Sequence, residues 1–195
     1  MKAGQIVAPR LIKVIDVDEP QISEPGHVKI QMERACLCGS DMPFWNYDHN
    51  AIVEEGLRNP ALQRLPFIDY NEGDPYPMRV GQSIHECLGT VVESSSDRFK
   101  EGDFVLALPE VHTGLCEYMC APEERTIHLP REGVPSEQIL MTQPLGTVIW
   151  AVQKLGNIID QDAVVVGQGP MGLMFTHMLS NLGCRNVIAL DKLDY

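Results

Sequence analysis

Ala163-Val164-Val165-Val166 runs without a break into Gly167-Gln168-Gly169-Pro170-Met171-Gly172, then an apolar stretch through Leu182, then Asn186-Val187-Ile188-Ala189-Leu190-Asp191. The first apolar run predicts a buried parallel strand, the middle stretch a helix, and the last run a second strand. Together they predict a βαβ unit. Parallel strands need a crossover of a dozen or more residues, so this segment commits the C-terminal part of the chain to an α/β layer structure.

The glycine spacing adds chemistry to that frame. A lone Gly-x-Gly-x-x-Gly is weak, but this one follows a strand, opens a helix and precedes an acidic residue at the next strand end by about twenty residues. Gly167, Gly169 and Gly172, with Pro170 and Met171 between them, are the candidate pyrophosphate turn, the helix N-terminus meeting the anionic charge. Asp191 is the candidate acceptor for the adenosine ribose hydroxyls; it would repel a 2′-phosphate and so favours NAD over NADP, although Lys192 beside it weighs the other way. The competing reading is a glycine turn that binds no nucleotide.

Upstream, Leu145, Val148, Ile149 and Val152 recur at helical spacing, predicting a helix from Pro144 to Leu155. The first 130 or so residues read differently. Short apolar runs at 5–8, 27–30, 90–92 and 104–106 alternate with turn signals such as Pro25-Gly26 and Glu101-Gly102-Asp103, predicting a β-rich domain. Between Phe44 and Pro77 the pattern lapses into an insertion with one short helix expected near 51–55. The expected division is a β domain over 1–140 and the start of a nucleotide domain over 141–195.

A net charge of −12 argues against a nucleic-acid or anionic-membrane surface, and no apolar run reaches membrane-spanning length. The start of the chain lacks a signal-peptide core, so a cytoplasmic protein with small-molecule partners is expected. The cysteines at 36, 38, 87, 116, 120 and 184 contain no Cys-x-x-Cys pair, which excludes a tetracysteine zinc knuckle by spacing.

Cys38-Gly39-Ser40-Asp41 and the distant pair His85-Glu86 join a thiolate, an imidazole and carboxylates. Zinc takes these donors, and a catalytic site needs only three protein ligands, leaving a position for water or substrate. Cys38, His85 and Glu86 could supply them. Taken alone, each part has an ordinary alternative, a buried thiol or a His-Glu pair without a ligand, and Cys36 could face the metal in place of Cys38. His49, His112, His128 and His177 have no metal-ligand spacing, and His177, with Met171, Met174 and Met178, is expected to pack in its helix. Phe44 and Trp45 either line a substrate pocket or pack in the core.

Taken in order, these elements resemble the medium-chain dehydrogenase/reductase family, in its zinc-dependent alcohol and polyol dehydrogenase branch. Cys38-Gly39-Ser40-Asp41 is similar to the family's first zinc motif, and His85-Glu86-Cys87-Leu88-Gly89-Thr90-Val91 to its Gly-His-Glu segment. Lys100-Glu101-Gly102-Asp103-Phe104-Val105 and Gly114-Leu115-Cys116-Glu117-Tyr118 are similar to the strands that follow. The resemblance implies a GroES-like β domain carrying one catalytic zinc, followed by a Rossmann domain carrying a nicotinamide cofactor. It implies oxidation of a secondary alcohol, polyol or sugar hydroxyl, with the carbon-bound hydrogen passing as hydride to the cofactor. Ser40 matches the hydroxyl that relays the alcohol proton, Asp41 the carboxylate that orients the zinc-bound His85, and Thr147 a hydroxyl near the nicotinamide. A homo-oligomer is implied for the full-length form.

The departures are equally specific. Gly81-Gln82-Ser83-Ile84-His85 places extra residues between the family's glycine and histidine, and the four-cysteine structural lobe is missing. Gln143 stands where polyol dehydrogenases carry glutamate and alcohol dehydrogenases a ligand cysteine. With Cys38, His85 and Glu86 the zinc shell is formally neutral, and Gln143 would ligate weakly, hold a water, or only cap the helix starting at Pro144. The chain ends just past the second nucleotide-domain strand, so an incomplete Rossmann sheet with weak NAD binding and little turnover is expected. The alternatives are a zinc-free enone or quinone reductase of the same fold and a non-catalytic binding module derived from a dehydrogenase.

Overall fold

The computed structural model describes residues 1–62 and 75–193. By contacts the chain divides into two compact units, Met1–Leu140 and Met141–Tyr195.

In the first unit, β1 (Lys2–Ala8) and β2 (Leu11–Asp16) form an antiparallel hairpin. β3 (His27–Cys36), β4 (Glu86–Ser94), β5 (Phe104–Ala107), β6 (Tyr118–Pro122) and β7 (Thr126–His128) make a five-stranded antiparallel sheet in the order β6-β3-β4-β5-β7. Val28, Ile30, Val91, Val105, Met119 and Ala121, supplied by four of these strands, are almost fully buried together. Fully burying each larger member contributes on the order of 1.5–3 kcal/mol, enough to fix which face of each strand points inward. α1 (Met42–Asn46) and α2 (His49–Arg58) occupy the start of the insertion, where Asp48 caps α2 by accepting from the Asn50 amide. The expected short helix is therefore longer than its apolar core suggested; residues 63–74 of the insertion lie outside the described residues. α3 (Ser136–Leu140) closes the unit and packs Ile139 and Leu140 against Leu88 and Leu106.

The second unit holds α4 (Thr142–Gln153), β8 (Asp162–Val166), α5 (Pro170–Asn181) and β9 (Asn186–Leu190). β8 and β9 pair in parallel, Ala163 opposite Val187 and Val165 opposite Ala189. Val148, Val152 and Leu179 form the core, with Val165, Met174, Met178 and Val187 packed against it. Within this unit's described residues only that face of the sheet is covered. Val164 is 58% and Val166 82% exposed, so β8 is not the two-sided buried strand its composition predicts; among the described residues no second layer lies over its other face. α4 begins at Thr142, so Gln143 stands in its first turn and is not the cap of a helix starting at Pro144.

Candidate metal centre

The pairing of β3 with β4 sets Cys36 opposite Glu86. Cys38 follows β3 by two residues and His85 immediately precedes β4, so the ladder carries both to one end of the sheet. The Asp41 amide donates to the Cys38 carbonyl at 3.0 Å, closing a turn that folds the Asp41 carboxylate back over the motif. There Oδ2 accepts from the Cys38 amide at 2.8 Å, and Oδ1 accepts from His85 Nδ1 at 3.1 Å. A carboxylate oxygen only accepts, so His85 carries its proton on Nδ1 and presents the lone pair of Nε2.

His85 Nε2 lies 3.9 Å from Glu86 Oε1. Donor atoms of Cys38, His85 and Glu86 all lie within 4.8 Å of one another. Ligand atoms around a tetrahedral zinc stand roughly 3.5 Å apart, so a small closure would bring the three onto one ion. Glu86 is 3% exposed, and among the described residues the only basic side chain within ion-pair distance of it is His85, whose facing Nε2 carries a lone pair and no proton. A carboxylate so buried fits a divalent cation, since buried charges are paired or coordinate metals. The sulfur that joins the group is that of Cys38; burial, then the nearby Glu86 charge, raise the Cys36 thiol. The hydrogen bond to Asp41 raises the His85 pKa, with burial opposing it.

Ser40 lies on the exposed turn between Cys38 and Asp41. Phe44 is buried with Ile6, Tyr76 and Met78 and so packs in the core, while Trp45 is half-buried. His112 belongs to the site although no spacing in the sequence links it to residue 85. Its ring stacks on His85 with centroids 4.3 Å apart and planes 23° from parallel. One of its nitrogens lies within 4.8 Å of an Asp41 oxygen and a His85 nitrogen.

In the second unit, Gly167 has φ +93°, in the region glycine tolerates, and leads into α5. A Cβ on Gly172 would collide with the Gly167 carbonyl oxygen, so the helix start and the turn touch backbone to backbone. A Cβ on Gly169 would meet nothing within 4 Å, and Pro170 and Met171 are exposed on the first turn of α5. Asp191 accepts from the Gln168 amide at 2.5 Å and the Leu193 amide at 3.0 Å, and these bonds, Gln168 first, lower its pKa. Thr147 is exposed, its hydroxyl donating to the Gln143 carbonyl at 3.5 Å, and Gln143 is half-buried. His177, expected to pack, is exposed and pairs with Asn181 Nδ2 at 2.9 Å.

A family model for the alcohol dehydrogenase GroES-like domain matches residues 24–143. The chain belongs to that family. Within the medium-chain dehydrogenases, it is 30% identical over 91% of its length to D-xylulose reductase from Scheffersomyces stipitis, covering 52% of that protein. It is 26% identical over 90% of its length to sorbitol dehydrogenase 2 from Saccharomyces cerevisiae, covering 51% of that protein. The fold is shared with galactitol-1-phosphate dehydrogenase from Escherichia coli at a TM-score of 0.71, with 17% identity, covering 97% of this chain and 55% of that one. This GroES-like chain thus spans about half the length of the curated relatives it matches. No helix among the described residues is long and apolar enough to cross a membrane.

Proposed function

We propose that the chain is the zinc-carrying part of an oxidoreductase that moves a hydride between a secondary alcohol, polyol or sugar hydroxyl and NAD. The convergence of Cys38, His85 and Glu86 donor atoms within 4.8 Å carries the reading. It is supported by similarity to D-xylulose reductase and sorbitol dehydrogenase 2. When bound, zinc supplies Lewis-acid polarisation of the substrate oxygen, and the nicotinamide supplies the hydride acceptor.

The protein's own groups do the positioning. Asp41 keeps the His85 proton on Nδ1 and anchors that edge of the ring, as a carboxylate behind a metal-ligating histidine does. The same carboxylate holds the Cys38 amide, so one buried group sets the direction of two ligands. Ser40 Oγ, on its exposed turn, accepts the alcohol proton while passing its own to solvent, and Thr147 offers a hydroxyl near the nicotinamide. One thiolate, one neutral imidazole and one carboxylate make the ligand set of Cys38, His85 and Glu86 formally neutral around a divalent zinc. The turn from Gly167 to Gly172 receives the pyrophosphate, and Asp191 accepts from the ribose hydroxyls and disfavours a 2′-phosphate.

Metal analysis joined to single-turnover hydride transfer tests this reading. The expected outcome is about one zinc per chain and slow transfer of deuterium from a carbinol-labelled polyol to NAD. Metal-free protein that instead reduces an enone with NADPH would replace it with the zinc-free reductase.

A further inference from the structure

His112 sits in the connection between β5 and β6 with φ +53°, a conformation uncommon outside glycine. Its Nδ1 is buried and has no hydrogen-bond partner among the described residues. Both features are unfavourable, and both fall on the residue whose ring lies flat against His85. Strained backbone and unpaired polar atoms persist where the surroundings over-determine them, and such outliers cluster at functional sites.

The connection is held in place from beneath. The Gly114 amide donates to the Ile84 carbonyl at 2.8 Å, and the Leu115 amide to the Gly81 carbonyl at 2.7 Å. A Cβ on Gly114 would meet the Cys87 sulfur, and one on Gly81 would stand 2.7 Å from the Thr113 carbonyl oxygen, so the segment lies directly on the loop that delivers His85. The His112 ring also makes an edge contact with the fully buried Phe44, centroids 6.5 Å apart and planes at 60°. The ring thus contacts both a buried core aromatic and His85.

We propose that His112 is a positioning residue for the metal centre: its stacked ring sets the plane of His85, as Asp41 sets its tautomer, so that Nε2 points at the Cys38 and Glu86 donors. Two restraints are needed because a single hydrogen bond at Nδ1 leaves the imidazole free to swing about that bond. The stacked face removes this freedom. The inference rests on the reading of Cys38, His85 and Glu86 as metal ligands.

Cobalt titration of the 195-residue chain, followed by the visible ligand-field bands and by competition with a chromophoric chelator, tests it. His112→Ala and His112→Gln, which both remove the ring, should weaken cobalt binding about tenfold and alter the bands; loss of groups that orient a ligand costs on that order. His112→Phe, which keeps a flat ring, should restore affinity to within about threefold of the parent and recover its bands. His112→Gln carries the comparison where His112→Ala does not fold. Ringless variants with parental affinity and bands, however much their metal-free stability falls, would overturn the positioning role alone. A parent chain that takes up no cobalt would overturn the ligand reading and this inference with it.

Discussion

Asp41→Asn is the perturbation that most sharply probes how the centre is built. The Asp41 side chain is fully buried and accepts from two donors, the Cys38 amide at 2.8 Å and His85 Nδ1 at 3.1 Å. Each bond to a charged group contributes about 1.5–3 kcal/mol. Asparagine keeps one acceptor oxygen and turns an NH₂ towards the other donor, so one bond is lost and one buried donor is left facing another. The expected loss in metal-free stability is about 2–4 kcal/mol, read by urea unfolding. Zinc affinity should fall about 10–100-fold, read by chelator competition, because His85 loses both its tautomer preference and its orientation. The two readouts separate the two roles. An Asp41→Asn protein that is destabilised yet binds zinc with parental affinity would refute the argument that this carboxylate organises the ligands.

Three further outcomes follow from the packing. Gly172→Ala should destabilise the second unit by about 1–3 kcal/mol in urea unfolding, because the new methyl collides with the Gly167 carbonyl, whereas Gly169→Ala, with open space around it, should be far milder. His49 is 1% exposed, and burial lowers its pKa, opposed by its bond to the Pro43 carbonyl. The unfolded chain thus binds more protons below about pH 6.5, so the His49 contribution is complete above that pH and is lost as pH falls through the depressed folded value. The stability advantage of the parent over His49→Gln should accordingly shrink between pH 7.5 and 5 in thermal melts, and an advantage that grows would contradict the assignment. Burial pushes the Cys87 thiol far up and the Cys116 thiol up to about 11, so iodoacetamide at pH 8 should leave both unmodified in the folded protein and label both in urea.

The βαβ unit was legible because its signal is local: one apolar run, three glycines and an acid at fixed offsets in a continuous stretch. What the sequence could not show was how much of that unit is covered, since Val164 and Val166 look the same in a strand with one packed face or two. The ligand candidates were legible by residue type. Their convergence was not, because it depends on the β3–β4 register, which shifts between Lys29 and Ile30 and again between Met32 and Arg34 before setting Cys36 opposite Glu86. The place of His112 at the centre is equally non-local. Its approach to His85 comes from close backbone contacts at Gly81 and Gly114, which leave no periodicity to read.

The most direct test of the zinc centre is X-ray absorption at the zinc edge on the purified chain, paired with metal content. The account predicts about one zinc per chain with one sulfur near 2.3 Å and the remaining ligands nitrogen or oxygen near about 2.0–2.1 Å, the sulfur shell vanishing in Cys38→Ser and retained in Cys36→Ser. Sub-stoichiometric zinc, or a sulfur shell that survives Cys38→Ser, would contradict it.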